Sequence, residues 1–561
     1  MNTIARNVLT ALIGLVALLA TPAIASAATD RWVDAETGSN AGPNDCKTQA
    51  NPCATITQAS QSSQSQGNFG TIHVDQGTYA ESVTIAQANV LTPDDFVAGD
   101  SGPTRIAPTA NGVAVFAQAN ATIEGFEISG AASSTVALVS DNATLRDNTI
   151  TATANNSTAV DARNGVGAST PTVEGNTILA DSGDEAIGIV VNAGTTSARI
   201  LDNRIGEAGA HGFDKGIWVR DNASAAVSGN EVRGGDQVSG SNAKGILLER
   251  TGDVTVSGNL VTSPVLAAGN ESDGIYVNGP VDGATVALDH NTVRAMTGIG
   301  VVVIETLGST ATMEGDLVVA NSDRAMYIGG VDDMTITNAT IGGIQPVVLN
   351  TASVAIDSSI LDTPITSSGG AVSCEITHTR GPAITEGGNG CAEFQTTADP
   401  QFADPLTFDY HLEPGSPLVD AGNPAAPAPG AVDIDGDPRA LDGDGECPVD
   451  PVRDMGYDEV VATVPTCPTD PPDQPEDPDD PEVRDTAAPD TAIAGAAKQR
   501  SRRARFEFSS TEEGSTFECR LDRGRFVPCD SSFRTRKLNR GRHTVFARTT
   551  SCSSEAASAS A

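Results

Sequence analysis

Aromatic side chains and positive charge are both scarce in this chain. Phe, Trp and Tyr make up 4% of 561 residues, and 33 Lys and Arg stand against 72 Asp and Glu, a formal charge of −39. A surface this acidic repels phosphate groups, which argues against nucleic acid and an anionic membrane as partners of the main body. Long apolar runs are missing too. The one near the start, residues 8–20, follows a single cation at Arg6 and precedes Pro22 and Ala25-Ser26-Ala27. That is the order of a secretory signal peptide, residues 1–27, cleaved before Ala28. The run is too short to cross a bilayer and no later run is longer, so an exported chain with no membrane span is expected. Paired C-x-x-C spacing is also absent, which removes the usual structural zinc site. The nine cysteines of an exported chain are then expected to form disulfides between sequence neighbours: Cys46 with Cys53, Cys374 with Cys391, Cys447 with Cys467 and Cys519 with Cys529, leaving Cys552 over.

What the chain has in abundance is a repeat. ATLRDNTIT from Ala143 returns as PTVEGNTIL from Pro171, ARILDNRIG from Ala198, AAVSGNEVR from Ala225 and VTVSGNLVT from Val254. Leu145 and Ile150 have opposite parity along a strand, so burying both requires the chain to bend between them. Asn148 stands at that place, and Asn is the non-glycine residue that best tolerates a left-handed backbone. The equivalent positions are Asn176, Asn203, Asn230, Asn259 and Asn291, with weaker copies at Phe126, Asp316, Ala339 and Ser359. These ten positions recur at the interval of one solenoid coil. Between them runs a second register, KGIWVRD from Lys215, KGILLER from Lys244 and DGIYVNG from Asp273. Each coil therefore holds two or three short strands, and strands recurring once per coil must stack in parallel.

The Thr-aliphatic-x-Gly/Asp-Asn-x-aliphatic bend and the Gly-Ile-x-Val strands resemble the right-handed parallel β-helix repeats of the pectin-lyase-like superfamily, over about residues 121–361. WVDAETGSN, NPCATI and GTIHVDQGTYAESVTI resemble the start of such a helix. DYHLEPGSPLVDAGNP, DIDGDPR and DMGYDE resemble the closing segment of bacterial secreted β-helix proteins. The alternating strands after residue 488 resemble the small Ig-like modules of exported actinobacterial proteins. The fold expected is all-β: a right-handed parallel β-helix (solenoid), a disordered Pro/Asp linker and a small β-sandwich. The divisions are 1–27 signal peptide, 28–120 N-terminal cap and first coils, 121–365 β-helix, 366–460 closing segment, 461–488 acidic linker and 489–561 Ig-like module.

If Ile217 and Val219 point inward, Trp218 and Arg220 point out, and Glu249 and Tyr276 occupy the same outer columns on neighbouring coils. With Lys215 and Lys244 nearby they form a candidate binding face, and Trp218 and Tyr276, two coils or roughly 10 Å apart, suit stacked sugar rings. The resemblance implies a glycan on such a face. A polysaccharide lyase or hydrolase is the alternative, with Asp184, His211 and Asp273 as its candidate catalytic groups, since glycoside hydrolysis needs two carboxyls about a bond. The Arg-plus-calcium site of pectate lyases and the other polygalacturonase motifs are not visible. A structural rod or adhesin without a small ligand is the third reading. No cofactor is expected beyond a calcium ion at DIDGD, through Asp433, Asp435 and Asp437; Pro438 stands where a calcium-binding hand requires Gly.

The partner expected is an extracellular polysaccharide or cell-wall polymer. The C-terminal module is basic, with Arg502, Arg503, Arg505, Arg520, Arg523 and Arg525 among its cations, so it is expected to dock on an anionic wall polymer and tether the β-helix. The measurement is co-sedimentation with cell walls at low salt: the isolated module pellets if it tethers, and its retention in the supernatant disproves the idea.

Overall fold

The computed structural model describes residues 29–94, 102–110, 112–130, 135–163, 170–181, 186–192, 197–207, 212–234, 243–263, 272–368, 370, 372–382, 391, 394–425, 427, 430–441, 443 and 452–461. In the C-terminal part it describes 491–495, 505–510, 516–521, 527–529, 531–534, 545–550 and 557–560. The expected signal peptide, the acidic linker beyond residue 461, Cys447, Cys467 and Cys552 lie outside the described residues.

Three ladders of parallel strands wind into a solenoid. One is a 12-stranded sheet from Gly77–Tyr79 to Ile360–Leu361. The other two share a 24-stranded sheet, in which the strands of the Gly-Ile-x-Val register stack on one another and those of the Thr-aliphatic register do likewise. Coils therefore carry three strands, and the solenoid starts earlier than the Asn bends alone indicate: the 12-stranded sheet has two members, Gly77–Tyr79 and Thr104–Ile106, before the first bend at Phe126. The interior is one continuous aliphatic cluster, with Ile200, Ile217, Val227, Ile246, Val256 and Ile275 fully enclosed. Each such side chain contributes roughly 1.5–3 kcal/mol through removal from water.

The structure corrects how the bend works. The left-handed residue is not the Asn but the one before it: Asp147 (φ 56°), Gly175 (65°), Asp202 (53°), Gly229 (66°), Gly258 (62°) and His290 (54°). The Asn side chain turns inward and is buried. Asn203 shows why. Its Nδ2 donates to Asn230 Oδ1 (3.0 Å) on the next coil and to the Val173 carbonyl (2.9 Å) on the one before. Its Oδ1 accepts from the backbone N–H (3.0 Å) and Nδ2 (3.0 Å) of Asn176. The same bonds run from Asn148 to Asn291 and end on Asp316 Oδ1, which accepts from Asn291 Nδ2 at 2.8 Å. A carboxamide alone among side chains supplies two donors and an acceptor with two lone pairs in one plane, so it can be repeated indefinitely.

Gly216 and Gly245 mark the corner between two ladders. A Cβ at Gly216 would lie 2.4 Å from Val232 and 2.6 Å from the Gly245 carbonyl, and one at Gly245 would lie 2.4 Å from Val261. The Gly of the Gly-Ile-x-Val register is thus the price of close strand approach.

One element was not legible in the repeat pattern, the helix Ile56–Gln66 over the first coils. Its sequence, ITQASQSSQSQ, has no apolar stripe. Capping compensates: Thr55 Oγ accepts from Gln58 N, Glu81 accepts from the backbone of Ile56 (2.8 Å) and Thr57 (3.0 Å), and Gly67 closes the end with φ 63°. The closing segment lies against the side of the last coils, where Tyr457 packs with Leu317 and Val319, and Met455 with Ile360. The C-terminal part has antiparallel sheets of three and four strands around Phe508, Phe517 and Val545. Cys46–Cys53 and Cys519–Cys529 are disulfides. Cys374 and Cys391 are not bonded as expected; they face each other across a parallel bridge as thiols, and the contact with Cys391 together with burial pushes the Cys374 thiol up. No helix among the described residues is long and apolar enough to cross a membrane.

Asn203→Ala is expected to strand the Asn176 donors and the Val173 carbonyl inside the coil, at roughly 1–3 kcal/mol per orphaned group, a loss of several kcal/mol readable in denaturant unfolding. Asp316 is the ladder's ionisable end. Burial raises its pKa from 3.8 to about 7, against the Asn291 hydrogen bonds and His290 that lower it, and its Oδ2 has no partner. The folded state therefore holds a proton that the unfolded state releases, so stability is full below about pH 4 and falls as pH rises through about 7. Asp316→Asn should remove this decline and exceed the parent at pH 8 by an amount on the order of a few kcal/mol, measured by unfolding across that pH range.

Candidate functional site

The outward column expected on the Gly-Ile-x-Val strands is present. In register across successive coils stand Asp161, Val190, Trp218, Leu247, Tyr276, Val302 and Tyr327. Ile217 and Val219 point inward and are fully buried, while Trp218 and Arg220 are partly exposed, as their parity requires. Rings alternate with aliphatic side chains: Trp218, Tyr276 and Tyr327 are each two coils apart, about 10 Å at the strand spacing. Leu247 and Val302 between them are buried, so the rings shelter them and form a ridge along the solenoid.

Cations lie on this ridge. The Arg220 guanidinium is 4.3 Å and Lys215 Nζ 5.1 Å from the Trp218 ring centroid, and Lys244 Nζ is 4.9 Å from that of Tyr276. Such contacts contribute about 0.5–2 kcal/mol each. Arg220 Nε also donates to Asn192 Oδ1 (2.9 Å), and Asn192 Nδ2 to Asp161 Oδ1 (2.7 Å), which Arg163 pairs as well. Glu249 stands beside Arg220 in the second outer column. Trp218 Nε1 is buried with no hydrogen-bond partner, and burial, with Asp273 and Glu305 nearby, pushes the Tyr276 hydroxyl up, so it stays protonated as a donor. The face thus offers rings and cations.

The catalytic candidates fare differently. Asp184 and His211 lie outside the described residues. Asp273 is buried and committed: Oδ2 holds Lys244 Nζ at 2.6 Å and Oδ1 accepts from Ile299 N at 2.8 Å. It shares the ridge strand and is paired with Lys244.

Of the three aspartates expected to hold calcium, Asp433 is occupied by the turn itself. Its Oδ1 accepts from the backbone N–H of Asp435, Gly436 and Asp437 (3.0, 2.8 and 2.7 Å), and its Oδ2 from Glu459 N (3.0 Å). The Asp435 carboxylate faces His411.

Asp161, Arg163 and Asn192 were missed by sequence reasoning. The signal was TAVDAR at Thr158–Arg163, which lacks the Gly-Ile pair and so falls outside the repeat as written, although Asp161 pairs in register with Val190.

The comparisons with known proteins concern the fold. No curated protein matches the chain. Among solved structures, the A-module of the mannuronan C-5 epimerase AlgE6 of Azotobacter vinelandii is similar at 13% identity, over 60% of this chain and 92% of that one, with a TM-score of 0.26. The sequence model described as "Right handed beta helix region" matches residues 111–279 and 215–391, together half of the chain. With its three parallel ladders and buried Asn column, the chain belongs to the right-handed β-helix family.

Proposed function

We propose that the chain is an exported glycan-binding protein that holds an extended acidic polysaccharide along the ridge of Trp218, Tyr276 and Tyr327. The observation that carries this reading is the placement of three rings in one register column at every second coil. An extended glycan repeats along a line, and a line of evenly spaced rings matches it without any deep pocket. Arg220 and Lys215 lie over the Trp218 ring, so a neutral sugar would compete with them for the ring, whereas a uronate carboxylate could pair with both. Lys215 forms no ion pair among the described residues, while Lys244 is already matched by Asp273. Salt screens the chain's overall acidity beyond about a Debye length, so at contact distance the local cations of the patch act on a bound carboxylate.

A lyase or hydrolase acting on the same face is the second reading. The commitment of Asp273 to Lys244 and Ile299 weighs against it.

The experiment runs affinity and product assays together on a panel of neutral and uronate polysaccharides. Retention of a uronate polymer is expected, weakened tenfold or more by Trp218→Ala and by Tyr276→Ala, with no new reducing ends or unsaturated sugar. Equal retention by both variants overturns the ridge as the binding face. Product release that disappears in Asp184→Ala establishes the enzyme instead.

A further inference from the structure

We propose that His411, Asp435 and Asp458 form a binding site for one divalent transition-metal ion of the zinc class, clamping the closing segment; this is independent of the glycan ridge. The three residues come from separate stretches: the strand Asp409–Leu412, the turn at 433–437 and the segment at 454–459. Their donor atoms all lie within 4.8 Å of one another.

Two observations beyond clustering point to an ion. His411 Nδ1 is held by Asp409 Oδ1, which turns Nε2 into the cluster, where it is enclosed and has no hydrogen-bond partner. A carboxylate behind an imidazole is the arrangement that orients a metal-ligating histidine. Asp458 is 7% exposed, and no N–H among the described residues hydrogen-bonds its carboxylate, which faces His411 and the carboxyl of Asp433. Its neighbours are the His411 imidazole on one side and further carboxyls on the other, a surplus of acidic groups that a bound cation would balance.

The separations leave room for an ion between the three side chains. His411 Nε2 is 3.5 Å from Asp435 Oδ2 and 3.9 Å from Asp458 Oδ1. The first is at the outer limit of a hydrogen bond and the second beyond it. They are close to the ~3.4 Å that separates donors sharing a tetrahedral ion at about 2.1 Å. One imidazole nitrogen with two carboxylates suits zinc and its neighbours; calcium takes six to eight oxygens and is a poor match. Asp435 is largely exposed, so the ion is reached from solvent and water can complete its coordination. Asp433 is excluded as a ligand because both its oxygens already accept backbone N–H groups. The Tyr457 ring, 5.4 Å from that of His411, forms the inner wall and packs on Leu317 and Val319 of the solenoid. An ion here would tie three stretches of the closing segment to the coil they cover.

The test uses the full chain, stripped with a chelator and titrated with Zn²⁺ alone by calorimetry, with Ca²⁺ titrated in parallel. One saturable Zn²⁺ per chain is expected, absent in His411→Ala, and weakened tenfold or more in Asp435→Asn and 10–100-fold in Asp409→Asn. Asp435 is exposed, so its variant keeps the test valid if His411→Ala fails to fold. A rise in melting temperature on adding Zn²⁺, lost in Asp435→Asn, supports the clamp. No saturable uptake, uptake of Ca²⁺ but not Zn²⁺, or undiminished Zn²⁺ affinity in Asp435→Asn overturns it, leaving His411 as an imidazolium among carboxylates.

Discussion

A buried carboxamide that bonds to its own image on the next coil is the interaction on which this structure rests. Asn148, Asn176, Asn203, Asn230, Asn259 and Asn291 each donate to a side chain on the next coil and accept from the coil before, Asn148 from the backbone N–H of Phe126, so the bend of every coil is held at the same height as the next. Polar groups inside an aliphatic cylinder would normally be costly. Here every member is satisfied by translation alone, and the ladder converts a liability into a register device.

Register is what makes the outside of the solenoid meaningful. Because the bends are fixed, the strand between them cannot slip, and alternate residues of successive coils fall into straight outer columns. Trp218, Tyr276 and Tyr327 are distant in sequence yet stand in line for this reason. A one-residue slip would bury Trp218 in a coil filled by Ile217 and Val219, and would push those aliphatic side chains into water. The inner ladder therefore specifies the outer ridge.

The two ends of the solenoid are managed by different means. At the N-terminal end, a helix without an apolar stripe is held by Thr55, Glu81 and Gly67. At the other, the closing segment brings charge into contact with the coils: Arg439 and Glu459 pair at 3.1 Å with 1% of each side chain exposed, and Arg439 also donates to the carbonyls of Gly456 and Tyr457. Burial raises the Glu459 carboxyl to about 9, opposed by Arg439. Such a pair contributes little net stability, yet removal of either partner is expensive, so it enforces one arrangement of the segment.

Periodicity carried the coil, the inward aliphatic positions, the outer columns and the Trp218–Tyr276 alignment, because each is a local consequence of strand parity repeated at a fixed interval. Cys46–Cys53 and Cys519–Cys529 were legible as short-range pairs, whereas Cys374 and Cys391 stand side by side as thiols. The left-handed residue was misplaced by one, since sequence shows that a bend exists but not which of two adjacent residues pays for it. Asp161, Asn192 and the meeting of His411 with Asp435 and Asp458 were decided only in three dimensions. Asp161 lies in a strand without the repeat's signature, Asn192 just beyond one that carries it, and the other three in segments that fold back across the coils, where no period exists to read. The chain's sequence thus determined by repetition how it winds; tertiary packing alone decided which polar groups of its irregular parts were brought within reach of one another.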